Sequence, residues 1–331
     1  MDILFIIQQT LSATLGVNAI IFALAAIGLN MHFGYTGLLN FGQAGFLAIG
    51  AYSVAVPVIT FGLSLWLALL IGIFNSILFA LLLGVPTLRL RADYLAIVTI
   101  AAAEIVRQIA RSATFNDSLG GSDGITGKFG KEFFDLNPFK TGLDTPILRF
   151  NGNDLWVVVT GWILVAIITF IMWIMVNSPW GRVMRAIRED EDAVRSLGKN
   201  VYLYKMQSLI IGGVIGSIAG FVYALSRQSV QPDNYGTALT FFAYTVLILG
   251  GAARVFAPIV GAMIFWFLIV FIEQFLREGV TSNVIPDWLI GVNQVSQIRF
   301  MLMGLGLMLL MIFRPQGIFG DKKELALDAK A

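Results

Sequence analysis

Few side chains in this 331-residue sequence can do chemistry, and their types exclude most of it. There is no Cys, so thiol nucleophiles, disulfides and thiolate metal sites are ruled out. The one His, His32, cannot build a histidine cluster, and no HExxH pattern is present. Gly127-Lys128 ends like a phosphate-binding loop. Phe129, however, stands where Ser or Thr is required, and Ser122 where the first Gly belongs. The chain is therefore expected to be no enzyme, with no catalytic residues, no metal site and no cofactor. Any ATP it depends on must be bound by another subunit.

Two kinds of residue remain. The first are polar side chains inside apolar runs, where an ionisable group is a candidate functional site by default. Glu104 and Arg107 are three apart, a spacing that pairs them on one helix face, either as part of a path through the membrane or as a structural ion pair. Asn40 and Gln43 share that spacing and either line a path or bond a neighbouring helix. Asn75 reads as a helix–helix hydrogen bond, and His32 as a residue at the membrane interface. Glu273 and Gln274 fall near an outer helix end, facing headgroups or water.

The second is the charged segment 178–205. Arg182, Arg185, Arg188, Arg195, Lys199 and Lys205 stand there beside Glu189, Asp190, Glu191 and Asp192. A central Arg, Lys or Asp costs about 2.5–3.5 kcal/mol in hydrocarbon, so the segment faces water. Its basic excess places that water in the cytoplasm. Ser178 and Pro179 signal a helix start and Gly198 a stop, with Ala186, Ile187, Ala193, Val194 and Leu197 as an apolar face. The segment is either a charged tether that only orients the protein, or a rigid helical knob presented to a cytoplasmic partner.

The elements that must position these residues are membrane spans. The sequence is 57% hydrophobic and only 13% charged, with a mean hydropathy of +0.82. Runs at 11–29, 38–59, 63–83, 93–110, 155–176, 206–225, 237–251, 259–275 and 300–313 give an all-α polytopic bundle of about nine spans. The runs 38–59 and 237–251 are candidates for broken or re-entrant helices. The first run lacks a basic leader and cleavage site and reads as retained structure.

Alternating from the charged segment puts the loop around Arg89 and Arg91, the break at Arg254 and the basic tail 314–331 inside. The polar loop 111–153, rich in Gly, Pro and Asn, falls outside. Arg227 and Arg277 also fall outside, each with an acid nearby, Asp233 or Glu278. Residues 1–313 form one membrane domain, in contact with lipid, and nothing indicates nucleic-acid binding. Gly212, Gly216 and Gly220 repeat every four residues and mark a close helix contact.

At this point the residues resemble a known family. Asp192-Ala193-Val194, three residues, then Gly198 resembles the cytoplasmic loop motif of ABC-importer permeases, departing from it at the first and third positions. The string from Gly181 through Glu191 to Ser196-Leu197-Gly198 resembles, more specifically, permeases of branched-chain amino acid importers. Blocks from Gly34 to Tyr52, Leu88 to Thr99 with Glu104 to Arg107, Gly120 to Ile125, and Leu249 to Arg254 with Pro258 to Gly261 agree.

The resemblance implies a permease subunit working with cytoplasmic ATP-binding subunits, a second related permease subunit and an external solute-binding protein. The setting it implies is a bacterial or archaeal plasma (inner) membrane. It assigns ATPase coupling to the loop, on Arg185, Arg188, Glu189, Asp190, Glu191, Asp192, Ala193, Arg195 and Gly198. Asn40, Gln43, Glu104 and Arg107 stay as candidates for the translocation path. A related branch carrying urea and short amides, and a stand-alone secondary transporter or channel, are the alternatives.

Overall fold

The computed structural model describes residues 3–89, 92–282, 291 and 294–320. Its helices are α1 (Ile3–Thr14), α2 (Val17–Leu29), α3 (Gln43–Phe61), α4 (Leu65–Thr87), α5 (Ala92–Arg111), α6 (Asn116–Leu119), α7 (Lys131–Asp135) and α8 (Gly152–Asn177). There follow α9 (Pro179–Glu189), α10 (Glu191–Ser196), α11 (Val201–Arg227), α12 (Thr237–Gly250), α13 (Ala257–Thr281) and α14 (Val295–Phe313). Four two-residue strands, β1 (Ile125–Thr126), β2 (Leu143–Asp144), β3 (Arg149–Phe150) and β4 (Ser229–Val230), form two antiparallel pairs, β1–β4 and β2–β3.

Among the described residues, seven stretches are long and apolar enough to cross a bilayer. One is α1–α2 run on into a π-helical turn, Asn30–Tyr35, and the others are α3, α4, α8, α11, α13 and α14. The 20-residue α5 is long enough but too charged to join them. With 14 residues, α12 is about 21 Å long, short of a hydrocarbon core of about 30 Å. Among the described residues seven stretches thus qualify as spans, against the nine runs that the hydropathy pattern predicts; α5 and α12 are the two that fall short.

Helix α11 lies at the centre, against α2, α3 and α4. Its glycine row is the reason it fits. A Cβ on Gly212 would stand 2.5 Å from the carbonyl oxygen of Gly28 on α2, and one on Gly220 would land on the carbonyl of Leu47 on α3. Lipid supplies no hydrophobic drive between helices, so close backbone approach and its dispersion contacts must hold them. The predicted role of Asn75 also stands: its amide donates to Ser53 Oγ at 3.0 Å, tying α4 to α3.

Several boundaries differ from expectation. The run 11–29 is not one helix. The chain turns extended at Gly16, and Trp162 on α8 donates to the Leu15 carbonyl at 2.8 Å, satisfying a group the break exposes. In the run 38–59 the helix begins only at Gln43. Helix α13 continues to Thr281 and α14 begins at Val295, so both extend into the stretch between the predicted runs 259–275 and 300–313. Residues 283–290 and 292–293 of that stretch lie outside the described residues.

Glu273 does not simply face headgroups. It accepts from Arg277 at 3.3 Å and pairs with Arg299 on α14. The tail beyond α14 turns back: Ile318 and Phe319 amides donate to the Leu249 and Gly250 carbonyls at 3.0 and 2.9 Å. The basic Lys322 and Lys323 lie outside the described residues.

Candidate functional site

The charged segment folds as a two-helix elbow. Ser178 caps α9 by accepting from the Gly181 amide, and Pro179 sits at the first helical position. Asp190 turns extended, ends α9 and caps α10, its Oδ1 accepting from the Ala193 amide at 2.9 Å. Ile187, Val194 and Val201 bury together under the two short helices. Arg195 bonds Glu191 at 2.9 Å and Asp192 at 2.8 Å, and Glu191 also pairs with Lys205 on α11. A small core and a local charge network tie the two short helices together.

The expected apolar face divides. Ile187 and Val194 are buried, whereas Ala193 is exposed and Leu197 is 80% exposed beside Gly198. Gly198 has φ +76°, with nothing within 4 Å of where a Cβ would sit. Glu189, Asp190, Asp192, Ala193, Arg195, Leu197 and Gly198 together form an exposed, charged tip with one large apolar side chain.

The elbow is fastened to the bundle on its inner side. Trp180 Nε1 donates to Gln207 at 2.7 Å, and Arg185 reaches the Val176 carbonyl at 3.4 Å and lies over the Tyr35 ring. Arg188 Nη1 donates to the Gly34 carbonyl in the π-helical turn. A Cβ on Gly37 (φ +72°) would stand 3.0 Å from the Arg188 side chain, so glycine serves both the turn and the contact there.

Beyond that contact lies a buried polar clasp. Asn30 bonds both the Ala253 amide and the Arg254 carbonyl at 2.8 Å, pinning the link between α12 and α13. His32 is fully buried, not interfacial as the sequence suggested. Its Nε2 lies 3.2 Å from the Leu209 carbonyl, which can only accept, so Nε2 carries the proton. Its Nδ1 therefore accepts from the Asn40 amide at 3.0 Å.

Asn40 Oδ1 accepts from the Gly42 amide at 2.9 Å, and Gln43 donates to the Gly212 carbonyl at 3.2 Å. The non-helical stretch 37–42 survives inside the bundle because side chains satisfy its backbone. Thr99 accepts from the Phe41 amide, and Tyr244 donates to the Asn40 carbonyl, both at 3.0 Å. Asn40 and Gln43 are thus fully buried and partnered within the chain. Replacing Asn40 by Ala leaves His32 Nδ1 and the Gly42 amide without partners. The expected cost is about 3 kcal/mol of stability, read as a lowered unfolding midpoint of the detergent-solubilised protein.

Glu104 and Arg107 meet elsewhere, toward the end of α5 away from the elbow. Arg107 grips Glu104 with two bonds, at 2.9 and 2.6 Å, and Gln108 adds a third at 2.7 Å. Arg107 also donates to Asp233 at 2.9 Å, and Arg111 stands 3.5 Å from the same oxygen. Asp233 had been read only as an acid near Arg227. It lies 126 residues from Arg107, a separation no local spacing rule reports. Thr99 and Tyr244 were missed, and His32 was placed at the interface, for the same reason.

Residues 12–313 match the family described as branched-chain amino acid transport system, permease component. The chain is 33% identical to the high-affinity branched-chain amino acid transport system permease protein LivM of Escherichia coli, over 90% of this chain and 67% of that protein. A probable branched-chain amino acid transport permease protein of Methanocaldococcus jannaschii is 24% identical over 91% of both. The guanosine ABC transporter permease protein NupQ of Bacillus subtilis is 29% identical over 76% of this chain and 77% of its own length. No solved structure matches significantly. With a capped elbow at one end, a polar-clasped bundle behind it and a match over nearly its whole length, the chain belongs to the family of branched-chain amino acid transport permease components.

Proposed function

We propose that this chain is the membrane permease subunit of an ATP-binding-cassette importer for branched-chain or closely related amino acids. ATP is hydrolysed in cytoplasmic partner subunits, and a related permease and an external solute-binding protein complete the system in a bacterial or archaeal inner membrane. The family match supports the substrate class. The observation that carries the coupling role is the elbow: packed within itself, exposed at its tip and bonded to the bundle at its root.

Seated in a groove of the ATPase, the tip from Glu189 to Gly198 moves with that subunit. Arg188 delivers the displacement to Gly34. From there Asn30 reaches the α12–α13 link, His32 reaches α11, and Asn40 reaches α12. Three helices thus receive one push, as alternating access by rocking helices requires.

The test is pull-down of the ATPase by the solubilised chain. Glu189→Lys together with Leu197→Asp alters only exposed tip residues. We expect the double variant to insert at normal yield and lose about tenfold in ATPase retention, roughly 1.4 kcal/mol of interface. Retention at the level of the unmodified chain would remove the docking role.

A further inference from the structure

The end of the bundle opposite the elbow contains an open hollow of about 750 Å³. Helix α8 lines it with its first turn, from Gly152 to Asp154, and α11 with Ser226 in its last turn. Both helices meet the elbow at their other ends, Asn177 and Val201. They are about 39 and 40 Å long, more than a hydrocarbon core of about 30 Å and close to the 40–45 Å of a bilayer with its headgroups. The hollow therefore sits at headgroup depth. Val157, one turn deeper along α8, and Phe134 on α7 give it an apolar wall where the span begins.

The other walls are charged. Lys128, Lys131 and Lys140 line the hollow with Asp135 and Asp154, which leaves it positive by one charge. All five side chains are exposed, and among the described residues none of them makes an ion pair. The hollow thus offers ammonium donors and carboxylate acceptors that do not quench one another. Its rim is held in place. The Gly130 amide donates to Gln228 at 3.3 Å, Asn137 donates to the Gly152 carbonyl at 3.1 Å, and Trp156 Nε1 donates to the Phe133 carbonyl at 2.9 Å. These bonds fasten the lysine-bearing loop to the ends of α11 and α8. The Trp156 ring stacks on Phe133, as interfacial aromatics do at headgroup level.

We infer that this hollow binds the headgroup of an anionic phospholipid whose phosphodiester carries a hydroxyl-bearing group, as in phosphatidylglycerol. The lysines donate to the phosphate oxygens, and Asp135 and Asp154 accept from the headgroup hydroxyls. Phe134 and Val157 meet the start of an acyl chain. One net positive charge matches one phosphodiester. Free phosphate would satisfy the lysines but leave the carboxylates and the apolar wall without partners. An acidic protein surface would set its carboxylates against Asp135 and Asp154. Bound lipid ties the outer loop to two long spans and so steadies the bundle at the end the elbow does not reach.

The test compares the full chain in nanodiscs of phosphatidylcholine with and without phosphatidylglycerol. Amide hydrogen exchange localises the effect, and native mass spectrometry of the solubilised protein measures lipid retention. The site variant joins Lys131→Gln to Lys140→Gln. The control joins Arg149→Gln to Arg277→Gln, the same charge loss at exposed residues outside the hollow. We expect phosphatidylglycerol to slow exchange over residues 128–140 about threefold in the unmodified chain. The site variant should hold that lipid about tenfold more weakly, and the control should hold it normally. Free glycerol phosphate, at the concentration of the lipid, should slow nothing.

Exchange indifferent to phosphatidylglycerol, equal retention by the two variants, or equal protection by free glycerol phosphate would each overturn the inference. All four substituted side chains are exposed, so both variants should stay monodisperse and the comparison between them should hold.

Discussion

Gly212→Val should yield no folded, monodisperse protein. A side chain there would strike the Gly28 carbonyl on α2 and the His32 ring together. One substitution would thus pry apart the central helix crossing and break the polar clasp beneath it. Relaxation is blocked because both obstacles are fixed, one a backbone and the other a ring held by two hydrogen bonds. Overpacking alone costs about 1–3 kcal/mol, and an orphaned buried donor or acceptor adds about 1–3 kcal/mol. Their sum is comparable to the whole stability of many domains. Size-exclusion chromatography of a fluorescent fusion would report it as loss of the monodisperse peak. A normal peak would mean that the α2–α11 contact is far softer than its geometry.

Arg188→Ala should separate transport from assembly. The guanidinium makes a charge-assisted bond to the Gly34 carbonyl at the root of the elbow. Such a bond is worth about 1.5–3 kcal/mol. If the ATPase stroke passes through it, losing about 1.4 kcal/mol of coupling lowers uptake about tenfold. The exposed tip is untouched, so ATPase retention should stay normal, and Arg188→Lys should recover part of the loss. Uptake unchanged in the Ala variant would show that the stroke enters the bundle by another route. A parallel loss of retention and uptake would show instead that Arg188 merely holds the elbow in shape.

How far the sequence announced this structure depends on the range of each interaction. Elements fixed by neighbours in the chain were legible. The ends of α5, α8 and α12 fall within three residues of the predicted runs because polarity changes abruptly there. Ser178, Pro179 and Gly198 marked the elbow because caps and left-handed glycines act locally. The Gly212, Gly216 and Gly220 row showed on one helix what its partners later confirm.

Features fixed across the bundle were not legible. The run 38–59 was a candidate for a broken helix, but nothing near residue 38 says that Thr99 and Tyr244 will satisfy the unwound backbone before Gln43. His32 read as interfacial because a lone histidine at a span end usually is. Its burial depends on Leu209 and on Asn40, eight residues away across the π-helical turn. Glu104 and Arg107 were recognised as a pair, but Asp233 and Arg111, which turn the pair into a cluster, needed the fold.

The shape of α1 bears on how the molecule is made. This short first helix packs chiefly on α13 and only slightly on α2, the helix that follows it. About 240 residues separate the end of α1 from the start of α13. At about 5–20 residues per second, a ribosome needs roughly 12–50 s to supply that partner. Through that interval α1 waits at the edge of an unfinished bundle. A ribosome stalled before α13 would leave α1 without its main packing partner.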